Sequence, residues 1–168
     1  PLALMTATTF IHTSDFQLGM TRWFLKGEAQ GRFNDDREAA IVRLGELAEE
    51  TGAEFIVVAG DVFEHNALSR DILARATEMF KRLPVPVYVL PGNHDPLVAD
   101  SVFYKTSAGN VHVIADSEPI EVAPGVELVG APYLSKRANH DLVRQALEPL
   151  EPAEGIRIAV GHGQVDSR

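Results

Sequence analysis

The chain has 168 residues, no cysteine and a formal net charge of −9, with 45% hydrophobic and 23% charged residues. This allows one domain with a buried core and excludes a disulfide framework, a thiolate metal site and, with no apolar run near ~18 residues, a membrane-spanning helix; it fits a reducing cytoplasm. So acidic a chain is a poor autonomous DNA binder, because phosphate contacts supply most of that affinity, but gathered carboxylates attract divalent cations and these attract phosphates.

A short β-prone run begins near Thr8 and ends over Phe10–Thr13. Ala39, Ala40, Leu44, Leu47 and Ala48 then recur at helical spacing, with Asn34 or Asp35 available as N-cap and Gly52 as a stop. Residues 54–59 read as a buried strand around Phe55, Ile56, Val57 and Val58. A second helix starts near Ser69, carries Ile72, Leu73, Ala76, Met79, Phe80 and Leu83 on its apolar side, and ends at Pro84. Residues 85–90 form the next strand. This β-α-β-α-β order predicts parallel strands joined by right-handed crossovers. After Asp100 the pattern changes to short β-prone runs at 111–115, 119–122 and Val126–Gly130, read as a meander in a second sheet. A helix near 139–147 leads to a strand at Ile156–Val160. The expected fold class is α/β, a sandwich of two mixed sheets flanked by helices.

In open α/β sheets, ligands bind beyond the carboxyl ends of the strands. Here those ends are rich in metal-ligating groups: Asp15 and Gln17, Gly60-Asp61, Gly92-Asn93-His94-Asp95, and Gly161-His162. Bland loops would favour Ser, Gly and Lys as much as Asp, Asn and His. Hard divalent ions such as Mn²⁺ or Mg²⁺ take carboxylate, carbonyl and imidazole ligands, and two of them about 3.5–4 Å apart clamp the attacking and leaving oxygens of an in-line displacement at phosphorus. Gly60 and Gly92 would let the backbone approach closely at these turns.

In this order, these motifs resemble the calcineurin-like metallophosphoesterases. Ile11-His12-Thr13-Ser14-Asp15 with Leu18-Gly19, then Gly60-Asp61-Val62-Phe63, resemble more narrowly the SbcD-type exonuclease subunits of DNA-repair complexes. The resemblance implies that Asp15 and Gln17 hold one ion, Asp61 bridges two, Asn93 and His162 hold the second, and His94 sits beside the leaving group as a proton or hydrogen-bond donor. It implies Mn²⁺-dependent hydrolysis of DNA phosphodiesters, with Mg²⁺ or Fe²⁺ as other candidate ions, an SMC-like ATPase subunit as partner, and a homodimer.

Two departures stand out. The first motif of the family usually reads Asp-x-His, and here Gln17 takes the third place, a weaker neutral ligand. The closing Gly-His-x-His motif is not found; Gly161-His162-Gly163-Gln164 is either a degenerate version or, as preferred here, the preceding single-His motif. The chain is therefore expected to be the N-terminal part of a nuclease catalytic domain, lacking the closing motif and the DNA- and partner-binding region. Weak Mn²⁺ binding and slow hydrolysis are expected in consequence.

Other histidines weigh less. His12 is expected to pack within its strand, His112 to be an ordinary strand residue and His140 to start a polar helix. His65 follows Asp61 by four residues, where some relatives place a His after three, and is kept as a substrate-contact candidate. Asp95 could orient His94 or cap a turn. Asn34, Asp35, Asp36 and Arg37 read as the start of a solvated helix. Two further functions are open: hydrolysis of small phosphomonoesters or cyclic nucleotides on the same metal core, and a non-catalytic regulatory module, to which Gln17 and the missing motif point.

Overall fold

The computed structural model describes residues 7–163 of the chain. Its first sheet has the order β1 (Phe10–Thr13), β2 (Phe55–Ala59), β3 (Val87–Leu90), β4 (Val111–Val113), and every pairing in it is parallel. Helix α1 (Ala29–Thr51) joins β1 to β2, and α2 (Arg70–Lys81) joins β2 to β3. The second sheet has the order β5 (Ile120–Ala123), β6 (Val126–Gly130), β7 (Ile156–Val160), with α3 (Leu142–Leu147) between the last two. β5 and β6 form an antiparallel hairpin, turning at Gly125 with φ +72°, whereas β6 and β7 are parallel.

Strand alternation explains why the first sheet is buried on both faces. Ile56, Val58, Val87 and Val89 face α1 and α2, where they meet Ile41, Ala48, Leu73, Ala76 and Phe80. Phe55, Val57, Tyr88 and Leu90 face the second sheet and pack with Leu128 and Val160. At roughly 25 cal/mol per Å² of apolar surface, this double-sided burial holds the β2 and β3 termini in fixed register. Among the described residues no helix is long and apolar enough to cross a membrane.

The α/β class and the two-sheet arrangement are as the sequence predicts. The second sheet is mixed, while the first is parallel throughout, because each of its links crosses over rather than turning back. Residues 111–113 belong to the first sheet, not to a meander: Val111, His112 and Val113 pair with Val87, Tyr88 and Val89. Helix α1 begins at Ala29, one turn and more before Asn34, with Glu28 at the N-cap and no side-chain cap bond. The early start follows from Gln30, whose amide donates to Met20 O and to Asn34 Oδ1 while its Oε1 accepts from Arg22 N. α2 starts near Ser69 as expected, its Oγ accepting from Ile72 N, and α3 is capped by Asp141 Oδ1, which accepts from Arg144 N at 2.9 Å.

The two sheets approach closely at Gly130, where a Cβ would collide with Ile114 and crowd Leu90 at 3.0 Å. Gly130→Ala is expected to cost about 1–3 kcal/mol by overpacking, read as a lower urea midpoint at unchanged m-value.

Candidate metal centre

The rim is built by letting β1 and β2 continue to pair after their regular strands end. Asp15 N donates to Gly60 O at 3.1 Å, Gln17 N to Asp61 O at 2.9 Å, Leu18 N to Val62 O at 2.9 Å and Glu64 N back to Leu18 O at 3.0 Å. In making these bonds, Asp15, Gln17 and Asp61 adopt φ of 57°, 44° and 54°. Left-handed backbone at residues other than glycine costs of order 1–3 kcal/mol each and persists only where surrounding bonds over-determine it. Here the ladder does so.

β2, β3 and β7 then bring their ends together. Asp61, 3% exposed, accepts from His94 N at 3.0 Å through Oδ1, and its Oδ2 lies 3.3 Å from His162 Nε2 and 4.0 Å from His94 Nε2. His162 Nε2 also lies 3.1 Å from Asn93 Oδ1. Asp15, Asp61 and His162 each offer a ligand atom, and these lie within 4.8 Å of one another. Two glycines make the closeness possible: a Cβ on Gly60, at φ +88°, would strike the His162 ring, and one on Gly92 would strike Asp61.

The hydrogen bonding around His162 tests whether a cation fits. Its Nδ1–H donates to Ala59 O at 2.8 Å, since a carbonyl can only accept. In the neutral ring Nε2 is therefore a lone pair, yet it faces two oxygens, from Asp61 and Asn93. Converging acceptors need a positive charge between them. Without a metal that charge is a proton: the Asp61 carboxylate, against the opposing effect of burial, pushes His162 up to about 9. Burial pushes Asp61 upward, but His162 and the His94 N–H outweigh it and hold its carboxyl below the ordinary value. A divalent cation bound there would take the place of the proton, and the fixed Nδ1–H tautomer is the one that presents Nε2 to it. The oxygen and imidazole donor set fits a hard divalent ion.

Of the sequence-predicted residues, Asp15, Asp61, Asn93, His94 and His162 meet at this rim. Gln17 is on the rim by its backbone, through its bond to Asp61 O. His65 is not brought in: it is exposed, and its Nδ1 accepts from Ala67 N at 3.2 Å. The residue facing the site is Glu64, whose carbonyl accepts from His94 Nδ1 at 3.1 Å and whose Oε1 lies 3.9 Å from the same nitrogen. Gln164 lies outside the described residues. His12 is exposed, not packed, because β1 is an edge strand and no described residue of the second sheet covers it. His112 is exposed and stacks on Tyr88 at 5.1 Å, and His140 is exposed.

Asp95 caps rather than orients. It is fully buried, its Oδ2 accepts from Phe63 N and its Oδ1 from Gly92 N, both at 2.8 Å, and burial pushes it up to about 6. It thereby ties the loop carrying Asp61 to the loop carrying Asn93. Arg37, expected at the solvated start of a helix, lies inside α1 and faces the rim instead. It is half-buried, donates to Gln17 O at 2.6 Å and stacks on Phe33 with 4.6 Å to the ring centroid. The signal was present in the spacing: 33, 37, 41 and 48 share one helical face.

The calcineurin-like phosphoesterase family profile matches residues 8–166, and the chain belongs to that family, whose members generally hydrolyse phosphoesters with divalent metals. The DNA double-strand break repair protein Mre11 of Archaeoglobus fulgidus is 32% identical over 98 residues, covering 56% of this chain and 21% of the relative. The uncharacterized metallophosphoesterase YhaO of Bacillus subtilis is 27% identical over 124 residues, covering 70% of this chain and 30% of the relative. The chain thus spans less than a third of the length of these relatives. The crystal structure of the Pseudomonas putida nuclease MPE aligns at TM-score 0.43 and 18% identity, over 72% of this chain and 53% of that one.

Gly60→Ala is expected to push His162 away from Asp61, both by the collision and by the positive φ. Calorimetric titration with Mn²⁺ should show affinity lowered at least about tenfold, while Gly27→Ala, at φ +58° but in open space, should leave it within about twofold.

Proposed function

We propose that this chain carries the metal centre of a two-metal phosphodiesterase acting on DNA, with Mn²⁺ as its ion, in a nuclease of DNA repair. The observation that carries the reading is the convergence of Asp15, Asp61, Asn93 and His162 on one point from two sheets, with the His162 Nε2 lone pair turned toward Asp61 and Asn93. Similarity to Mre11 of A. fulgidus supports DNA as the substrate. On the same reading the partners are DNA, an SMC-like ATPase subunit and a second copy of the chain.

Asp15 and Gln17 would hold one ion, Asn93 and His162 the other, and Asp61 would lie between them. Bound there, divalent ions supply Lewis-acid charge and activate water for in-line attack at phosphorus. The chain's own residues do the rest. Asp95 keeps the Asp61 and Asn93 loops at fixed separation. Ala59 O fixes the His162 tautomer. Glu64 O takes the Nδ1 proton of His94, so that its Nε2, beside Asp61, is the atom turned to the site. A neutral His94 accepts at that atom, and the doubly protonated ring donates to a departing alkoxide.

With Mn²⁺, the chain should hydrolyse bis-p-nitrophenyl phosphate and a labelled hairpin oligonucleotide, slowly, and p-nitrophenyl phosphate less well. Asp61→Asn should abolish metal-dependent turnover of both diesters. His94→Gln should lower kcat about 100-fold with KM little changed. A preference for the monoester would reassign the site to small-molecule phosphoesters. Mn²⁺ binding without any turnover would favour the regulatory-module reading, to which Gln17 in the usual place of a His also points.

A further inference from the structure

The loop between β1 and α1 carries two adjacent exposed aromatic side chains: Trp23 is 92% and Phe24 58% exposed, with ring centroids 5.8 Å apart, edge to face. They occupy the two central positions of a turn closed by Leu25 N donating to Arg22 O at 3.0 Å. Turn tips normally carry Gly, Pro, Asn, Asp or Ser, each for a conformational reason. Two large aromatics there serve no fold, since neither is packed on the core.

The loop is also anchored. Gln30 bonds Arg22 N and Met20 O, and Met20 N donates to Gln17 O at 3.1 Å, the same carbonyl that Arg37 grips. The turn is therefore fastened to the rim that carries Asp15, Gln17 and Asp61. Trp23 is six positions along the chain from Gln17, at most about 20 Å even if extended.

The local charge opposes the global one. Between Leu18 and Phe33 the charged residues are Arg22, Lys26 and Arg32 against Glu28, a local balance of +2 in a chain of −9. All three cations are exposed. Aromatic faces interleaved with cations are the pattern that holds single-stranded nucleic acid, by base stacking and phosphate pairing together.

We infer that Trp23 and Phe24, with Arg22 and Lys26, form a stacking platform for single-stranded DNA leading into the metal rim. The inference rests on the phosphodiesterase reading for the fate of the strand, and identifies where its bases are held. Stacking dominates over charge, because only three cations lie between Leu18 and Phe33; the salt slope should be no steeper than about −2.

Trp23 is the only tryptophan, so its emission reports the platform directly. The 168-residue chain is titrated in EDTA with an oligothymidylate and with an abasic oligonucleotide of equal length. The thymidylate should quench Trp23 saturably; the abasic strand should bind at least about fivefold more weakly and quench little. By anisotropy of a labelled strand, Trp23→Ala should weaken binding about tenfold, and Trp23→Phe should restore most of it. Absence of quenching, or equal affinity for Trp23→Ala and the parent chain, would overturn the platform. So would Trp23→Ala reducing self-association without touching strand affinity, which would make the patch a protein interface. Hydrolysis of bis-p-nitrophenyl phosphate, which has no base to stack, reads the metal centre separately. Turnover without quenching sinks only the platform, and quenching without turnover of any diester sinks only the phosphodiesterase reading.

Discussion

The structure depends on one electrostatic arrangement: an imidazole lone pair forced against two oxygens. Ala59 O claims the only proton of a neutral His162, and Asp61 and Asn93 then face the bare nitrogen. Left empty of charge, this meeting of acceptors would be repulsive and partly desolvated, and so costly. A shared proton relieves it in the metal-free chain, and a divalent cation can take the proton's place. The centre is thus poised for metal by what it lacks, a donor between acceptors.

Holding acceptors in that arrangement calls for a stiff frame. Three left-handed residues, Asp15, Gln17 and Asp61, are kept in place by hydrogen bonds that prolong the β1–β2 pairing past the end of the sheet. Asp95 adds a cross-tie from the opposite side, satisfying two buried N–H groups that belong to different loops. Arg37 reaches from α1 to close the same corner, with Phe33 supporting its guanidinium. Each device is local, and each ends on a residue next to a candidate ligand. Strain concentrated in this way is common at working sites, where the surroundings offset it.

The acidity of the chain and the proposed polyanionic substrate are reconciled by geography. Negative charge at the rim suits cations, which in turn suit phosphate. Exposed positive charge gathers on the adjoining β1–α1 loop, beside its two uncovered aromatics. Net charge averages over these opposite faces and describes neither.

Much of the fold was legible because its signals are local. Strand runs, helix periodicity, the helix start near Ser69, Gly52 as stop and the parallel crossovers follow from short-range sterics and from the need to bury one face. The motif order also singled out Asp15, Asp61, Asn93, His94 and His162, which the structure brings to one rim. What sequence spacing could not carry was lateral neighbourhood. It put residues 111–113 in the wrong sheet, because a short strand pairs with whichever edge is free. It set the start of α1 at Asn34, because side-chain tethers from Gln30 are invisible to propensity. It could not show that Glu64 rather than His65 meets His94, because one residue of register in a loop decides which side chain faces inward. The sequence by itself determined which groups could bind a cation; only the packing of two sheets, at Gly60, Gly92 and Gly130, decided that they come close enough to need one.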